Sequence, residues 1–223
     1  MATTSTLKKS TTGATKRPQQ GRSVARFNAL LDAAHRLLFD RELDEVGLYV
    51  VAQAAGVPPA SAYHFFPTPT ALYLSLAERY HEQFNKLTLD VEMPEDGRWQ
   101  TLLRQRLLAA AAVYNENPPM QKLFLGSHTA RDLTLAEAGF NELMAQKMVE
   151  VYEQHFVMPA IRDAQRKWLV MLTLVDAVWS LSYTKHRSIT TEYADEAVLV
   201  GVSYCRTFLP EVIEPRGSMQ VLG

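Results

Sequence analysis

At 223 residues, with 47% of them apolar and a formal net charge of −1, the chain can bury a full hydrophobic core as one or two domains. Its one cysteine, Cys205, excludes an intramolecular disulfide framework and fits a reducing cytoplasm. No apolar signal stretch opens the chain. The longest apolar run, Trp168 to Trp179, is too short for a membrane span and carries Asp176, so neither secretion nor membrane insertion is expected.

The charge is unevenly placed. Lys8, Lys9, Lys16, Arg17, Arg22 and Arg26 all precede the first acid, Asp32, which suits a protein that presents one end to phosphate. Residues 1–21 have almost nothing apolar to bury and are expected to be a disordered basic arm. The arm is either a solvated tail or a source of phosphate or minor-groove contacts. The first helix is expected from an N-cap at Ser23 to about Arg41, because Phe27, Leu30, Leu31, Ala34, Leu37 and Leu38 form one apolar stripe. Arg22 and Arg26, one turn apart at its start, are candidate phosphate contacts.

The stretch from Gly47 to Leu72 organises the rest of the chain. Leu48, Val51 and Ala52 share a helix face that ends near Ala55, and Gly56 supplies the left-handed residue of a tight turn plugged by Val57. Pro58 and Pro59 fit the start of a second helix reaching Phe66, with Ala62 and Phe66 inward and Ser61 and His64 free. This is a helix-turn-helix, although an ordinary αα-corner has the same spacing. The run A-x-A-A-G-V at Ala52 to Val57, Y-x-x-F at Tyr63 to Phe66 and P-T-x-x-A-L at Pro67 to Leu72 resembles the DNA-binding domain of TetR-family transcriptional repressors, over about the first ninety residues.

That resemblance implies an all-helical homodimer whose three N-terminal helices bind operator DNA while the remainder binds a small-molecule inducer. It implies a phosphate contact for Tyr63 and a base or phosphate contact for His64. Candidate DNA-binding residues are thus Arg22, Arg26, Tyr49, Pro59, Ala60, Ser61, Tyr63 and His64, with Phe65 and Phe66 as packing. Two departures weaken the implied grip. Pro69 stands where the family usually has lysine, and Gly47 where it commonly has threonine.

Thr68 and Pro69 read as N-cap and first residue of a long helix to about Leu89, with Leu72, Leu76, Tyr80, Phe84 and Leu87 on one face. Met93 to Gly97 is a loop. Further helices are expected at Arg98–Asn115, Pro119–Ser127, Asp132–Phe156, Pro159–Arg187 and Thr191–Leu209, about nine in all, and the tail from Glu211 is expected to fray. The fold class is all-α. The expected division is an arm at 1–21, a DNA-binding domain at 22–68, a ligand-binding and dimerisation domain at 69–210 and a tail at 211–223.

A ligand pocket in the second domain should draw on Phe84, Leu103, Leu107, Phe124, His128, Met144, Met148, Tyr152, Trp168, Asp176 and Trp179. Aromatic and methionine side chains make adaptable apolar walls, and they equally make core. Such a pocket favours a mainly apolar or aromatic inducer, with or without a carboxylate or acyl group. Asp176 is either an anchor for a ligand donor or, the preferred reading, a satisfied acid near a dimer seam. In the last helix Ala194, Ala197, Gly201 and Cys205, with Val198 and Val202 beside them, form a small-residue stripe expected at a two-fold interface. A helical enzyme or metalloprotein is the competing class. His81-Glu82 begins like a zinc-protease motif but has Asn85 where the second histidine belongs, and there is no phosphate-binding glycine loop. The resulting expectation is a cytoplasmic one-component regulator, repressor before activator, that needs no cofactor and partners with operator DNA, an inducer and a second copy of itself.

Overall fold

The computed structural model describes residues 15–18, 21–89, 92–126 and 131–216, and the side chains in these ranges apart from 86–89 and 131–138. The described residues are all-α: α1 Gly21–Asp40, α2 Leu48–Ala54, α3 Pro59–Phe65, α4 Pro69–Leu89, α5 Trp99–Glu116, α6 Pro118–Phe124, α7 Arg131–His155, α8 Ala164–His186 and α9 Thr191–Cys205. A single 3₁₀ turn, Leu43–Glu45, joins α1 to α2. No helix among the described residues is long and apolar enough to cross a membrane.

The chain separates into Met1–Leu76 and Ala77–Gly223. The division falls inside α4, later than the expected boundary at Pro69, because the first turns of α4 belong to the core of the first unit. Ala71, Leu72, Tyr73 and Leu76 are buried there, and the Tyr73 hydroxyl lies 2.8 Å from the carbonyl of Leu43 and 2.7 Å from that of Val46. The hydroxyl of Thr68 accepts from the amide of Ala71, which makes it the expected cap.

Three other expectations are corrected. Helix α1 begins at Gly21, which places Ser23 inside its first turn. Thr15 to Pro18 are not free: the amide of Lys16 donates to the carbonyl of Phe65 (3.0 Å), and the Thr15 hydroxyl to that of Ala71 (3.3 Å). Residues 1–14, 19 and 20 of the arm lie outside the described residues. Helix α8 starts at Ala164 rather than Pro159, after Asp163 turns the backbone left-handed (φ 54°).

In the second unit α8 packs on α7 and α9, and α5 on α9, around a core that includes Trp99, Leu102, Tyr152, Trp168 and Met171. The segment after α9 does not fray as far as Arg216. Indole N–H of Trp99 donates to Pro210, the amide of Val157 to Glu214, and the amide of Arg216 to His155, while Ile213 is buried. Backbone pairing with the end of α7 supplies what the sequence of this segment lacks in helical periodicity.

Candidate nucleic-acid interface and effector cavity

In the first unit the turn between α2 and α3 is built as its residues dictate. Gly56 takes φ +63°, a conformation that strains any residue with a Cβ, and Val57 is buried beneath it. Pro58 caps α3 and Pro59 opens it, a place where a missing N–H costs nothing. Helix α3 buries Ala62 and Phe65, and Phe66 follows it inward. Phe27 of α1 holds both rings, edge-on to Phe65 at 5.9 Å and tilted against Phe66 at 4.8 Å. What remains outside is the candidate reading face. Pro59, Ala60, Tyr63 and His64 are exposed and Ser61 is half-buried, while Tyr49 on α2 is exposed as well.

Beside that face lies an open groove of about 730 Å³ lined by Lys16, Arg17, Pro18, Ser23, Arg26, Ala60, Ser61, His64 and Phe65. Arg26 is therefore brought next to α3. Arg22 is exposed on the first turn of α1 but does not line the groove. The placement of Lys16 and Arg17 was not legible, because backbone hydrogen bonds that any residue can make fix it.

In the second unit a small cavity of about 50 Å³ lies between α4, α5, α7 and α8. Of the expected ligand residues, Phe84, Leu107, Met144, Met148, Asp176 and Trp179 line it. Leu103, Phe124, Tyr152 and Trp168 do not. They are core: Tyr152 packs on Trp168 at 4.6 Å, and Phe124 on His81 at 4.6 Å. His128 lies outside the described residues. Sequence reasoning missed Arg106, Ala110, Tyr114, Phe140, Asn141 and Leu172. Arg106 carried a usable signal, since it interrupts the stripe Trp99, Leu103, Ala110, Tyr114 at helical spacing.

The polar groups of the cavity are few. Asn141 donates to the Asp176 carboxylate at 2.8 Å, and burial outweighs that bond, pushing the acid up to about 6. Indole N–H of Trp179 is buried without a hydrogen-bond partner among the described residues. Arg106 is only 4% exposed, and desolvation lowers its pKa. Next to the cavity the imidazole of His81 is sandwiched between Phe140 (3.5 Å) and Phe124 (4.6 Å), where desolvation brings it down to about 4 and keeps it neutral.

The small-residue stripe of α9 is not where it was expected. Ala194, Ala197, Val198, Gly201 and Cys205 are buried inside the second unit, and Val202 is half-buried. A Cβ on Gly201 would stand 3.2 Å from Leu107 and 3.4 Å from Met171 and Val175. The close neighbours are thus α5 and α8 of the same chain. A stripe of small residues reports a close helix approach without saying which helix approaches. The exposed apolar row lies instead on α8 at Val170, Leu174 and Leu181, with Leu199 on α9.

Residues 30–76 match the family model for bacterial regulatory proteins, tetR family. This segment is a TetR-type helix-turn-helix with the start of α4. The chain as a whole shares its fold with solved TetR regulators. One from Streptomyces coelicolor is 22% identical with a TM-score of 0.62, covering 83% of this chain and 98% of its own. One from Rhodococcus sp. RHA1 is 19% identical with a TM-score of 0.64, covering 84% and 97%. SmeT, the repressor of the Stenotrophomonas maltophilia multidrug efflux pump SmeDEF, is 13% identical with a TM-score of 0.58, covering 85% and 93%. A comparison with curated proteins finds no match. The TetR-type head thus agrees with the motifs at Ala52 to Leu72, and the helical unit after it in the chain has the architecture of the same regulators.

Proposed function

We propose that the chain is a homodimeric one-component repressor that binds operator DNA through α3 and is released by a small, mainly apolar or aromatic effector. The observation that carries this reading is the two-faced α3. Its aromatic side is locked against Phe27, and its other side leaves Pro59, Ala60, Ser61, Tyr63 and His64 to a major groove, with Arg26 and Tyr49 at hand for phosphate. Two such heads related by two-fold symmetry would take half-sites about one helical turn, or a multiple of it, apart.

The effector reading rests on the cavity of the second unit. Its walls are aromatic and methionine-rich, and the indole N–H of Trp179, which has no partner among the described residues, is a donor for a ligand oxygen. The space is small, so an effector larger than a few atoms must move Met144, Met148 or Leu172, which unbranched or flexible side chains allow. Such a ligand regulates only if it binds the DNA-incompetent state more tightly than the DNA-bound one. SmeT, of the same fold, is a repressor, and that precedent favours repression here over activation. The α8 row of Val170, Leu174 and Leu181 is the surface proposed for the two-fold interface.

Selecting bound duplexes from a random-sequence pool tests the reading directly. The expected product is a palindromic operator that small aromatic compounds release. Recovery of no enriched sequence, with wild-type protein folded and dimeric, would defeat it.

A further inference from the structure

We propose that Lys16 and Arg17, pinned against the C-terminal end of α3, form with Arg26 a binding surface, adjoining the reading face, for the sugar-phosphate backbone of duplex DNA. This surface rests on the DNA-binding reading of α3 and extends it.

A helix leaves its last carbonyls without partners of its own. Here the last residue of α3, Phe65, accepts from the amide of Lys16 at 3.0 Å, so the arm closes the end of the recognition helix. A second tie sits one residue back. The Thr15 hydroxyl donates to the carbonyl of Ala71 in the first turn of α4, and the Ser75 hydroxyl donates to Thr15 at 3.4 Å. Pro18 has its own φ fixed and holds Arg17 to an extended backbone. Segment 15–18 is therefore held at Thr15 and Lys16 and stiffened at Pro18, while the side chains of Lys16 and Arg17 stay exposed.

Among the described residues the groove so formed is lined by three cations, Lys16, Arg17 and Arg26, and two hydroxyls, Ser23 and Ser61, with no carboxylate in its lining. On a chain of net charge −1 this is a concentrated positive patch. It shares Ser61 and His64 with the exposed side of α3, so a duplex seated on α3 passes its backbone beside these cations. Flexible cations and hydroxyls suit phosphate oxygens rather than base edges, and contacts of that kind position a protein without reading sequence. The surface also answers the family's missing lysine at Pro69, since the cationic charge absent there is present here.

The test uses the full chain carrying Lys16→Gln and Arg17→Gln together, which keeps the Lys16 amide. Binding is followed by fluorescence anisotropy over a range of salt concentrations, on a mixed-sequence duplex and on an operator taken from the pool selection. Each neutralised phosphate contributes about 0.9 to the log–log salt slope. The double variant is expected to lose about 1.8 from that slope. It should weaken on both duplexes by the same factor, leaving the preference for operator unchanged, and Lys16→Arg with Arg17→Lys should restore the slope. An unaltered melting temperature shows that the head remains folded. Wild-type slopes in the double variant would overturn the inference while leaving the α3 reading intact. A loss that differs between A·T and G·C flanks would also overturn it, since the side chains would then be reading base edges. Wild-type protein that binds no duplex at low salt would bring down the reading of α3 and this surface with it.

Discussion

Asp176 and His81 show how burial of single side chains in the second unit makes stability depend on pH. Both are pushed towards neutrality, the acid up to about 6 from 3.8 and the imidazole down to about 4 from 6.5. Between pH 4 and 6 the folded protein holds the Asp176 proton that the unfolded chain releases, so this group's contribution falls as pH rises. His81 acts the other way. Over nearly the same range the unfolded chain binds a proton that the folded one refuses, so stability is lost as pH falls below 6.5. The two effects largely cancel, and single replacements should unmask them. Asp176→Asn is expected to stabilise the protein above pH 6 by up to about 3 kcal/mol, with the gain vanishing near pH 4. His81→Phe should remove the loss on the acid side. Urea unfolding at several pH values measures both, and parallel profiles for wild type and Asp176→Asn would contradict the assignment. Gly201 is the third instructive residue. Its missing Cβ admits Leu107, Met171 and Val175, so Gly201→Leu overpacks the unit's own core and should cost about 1–3 kcal/mol in thermal unfolding.

At the level of elements, the helix-turn-helix was legible because its signals are local. Gly56 needs a left-handed backbone, Pro59 suits a first helical turn, and Ala62 and Phe66 mark an inner face. The boundary inside α4, the ties at Thr15 and Lys16 and the pairing of Val157 with Glu214 were not legible, since each depends on partners distant in sequence. The cavity was half legible for a related reason. Periodicity shows which side chains face inward, and Tyr152, Trp168 and Trp179 all do, but not which of them border empty space. Helix starts carry the next prediction. Gly47 caps α2 without any side-chain bond, its backbone is extended (φ −79°, ψ 163°), and nothing lies within 4 Å of the point where a Cβ would stand. Gly47→Thr therefore supplies a capping hydroxyl without strain, worth a few tenths of a kcal/mol. Pro69→Lys places a cation at the exposed first turn of α4 and should steepen the salt slope of duplex binding by about 0.9. An unchanged slope would mean that the mouth of α4 does not meet phosphate.

For the whole molecule the deciding feature is an apolar surface. Val170, Leu174 and Leu181 recur along α8 at spacings that keep them on one helix side, with the small Ala177 between, and all four are exposed. Leu199 on the neighbouring α9 is 58% exposed. A row of this kind favours association, because each such side chain gains roughly 1.5–3 kcal/mol on full burial. The interface proposed above would set this row against the same row of a second copy, since two-fold symmetry brings one patch against itself. Leu174→Glu with Leu181→Glu would place four carboxylates in a dry seam, a cost that the remaining contacts cannot offset. The double variant is expected to sediment as a monomer with unchanged helical circular dichroism, since neither side chain is needed inside the protomer. Its affinity for a single half-site should persist, while the added affinity for the palindrome disappears because the two heads are no longer joined. Sedimentation as a dimer would move the interface off α8, and a monomer that still preferred the palindrome would separate operator reading from dimerisation altogether.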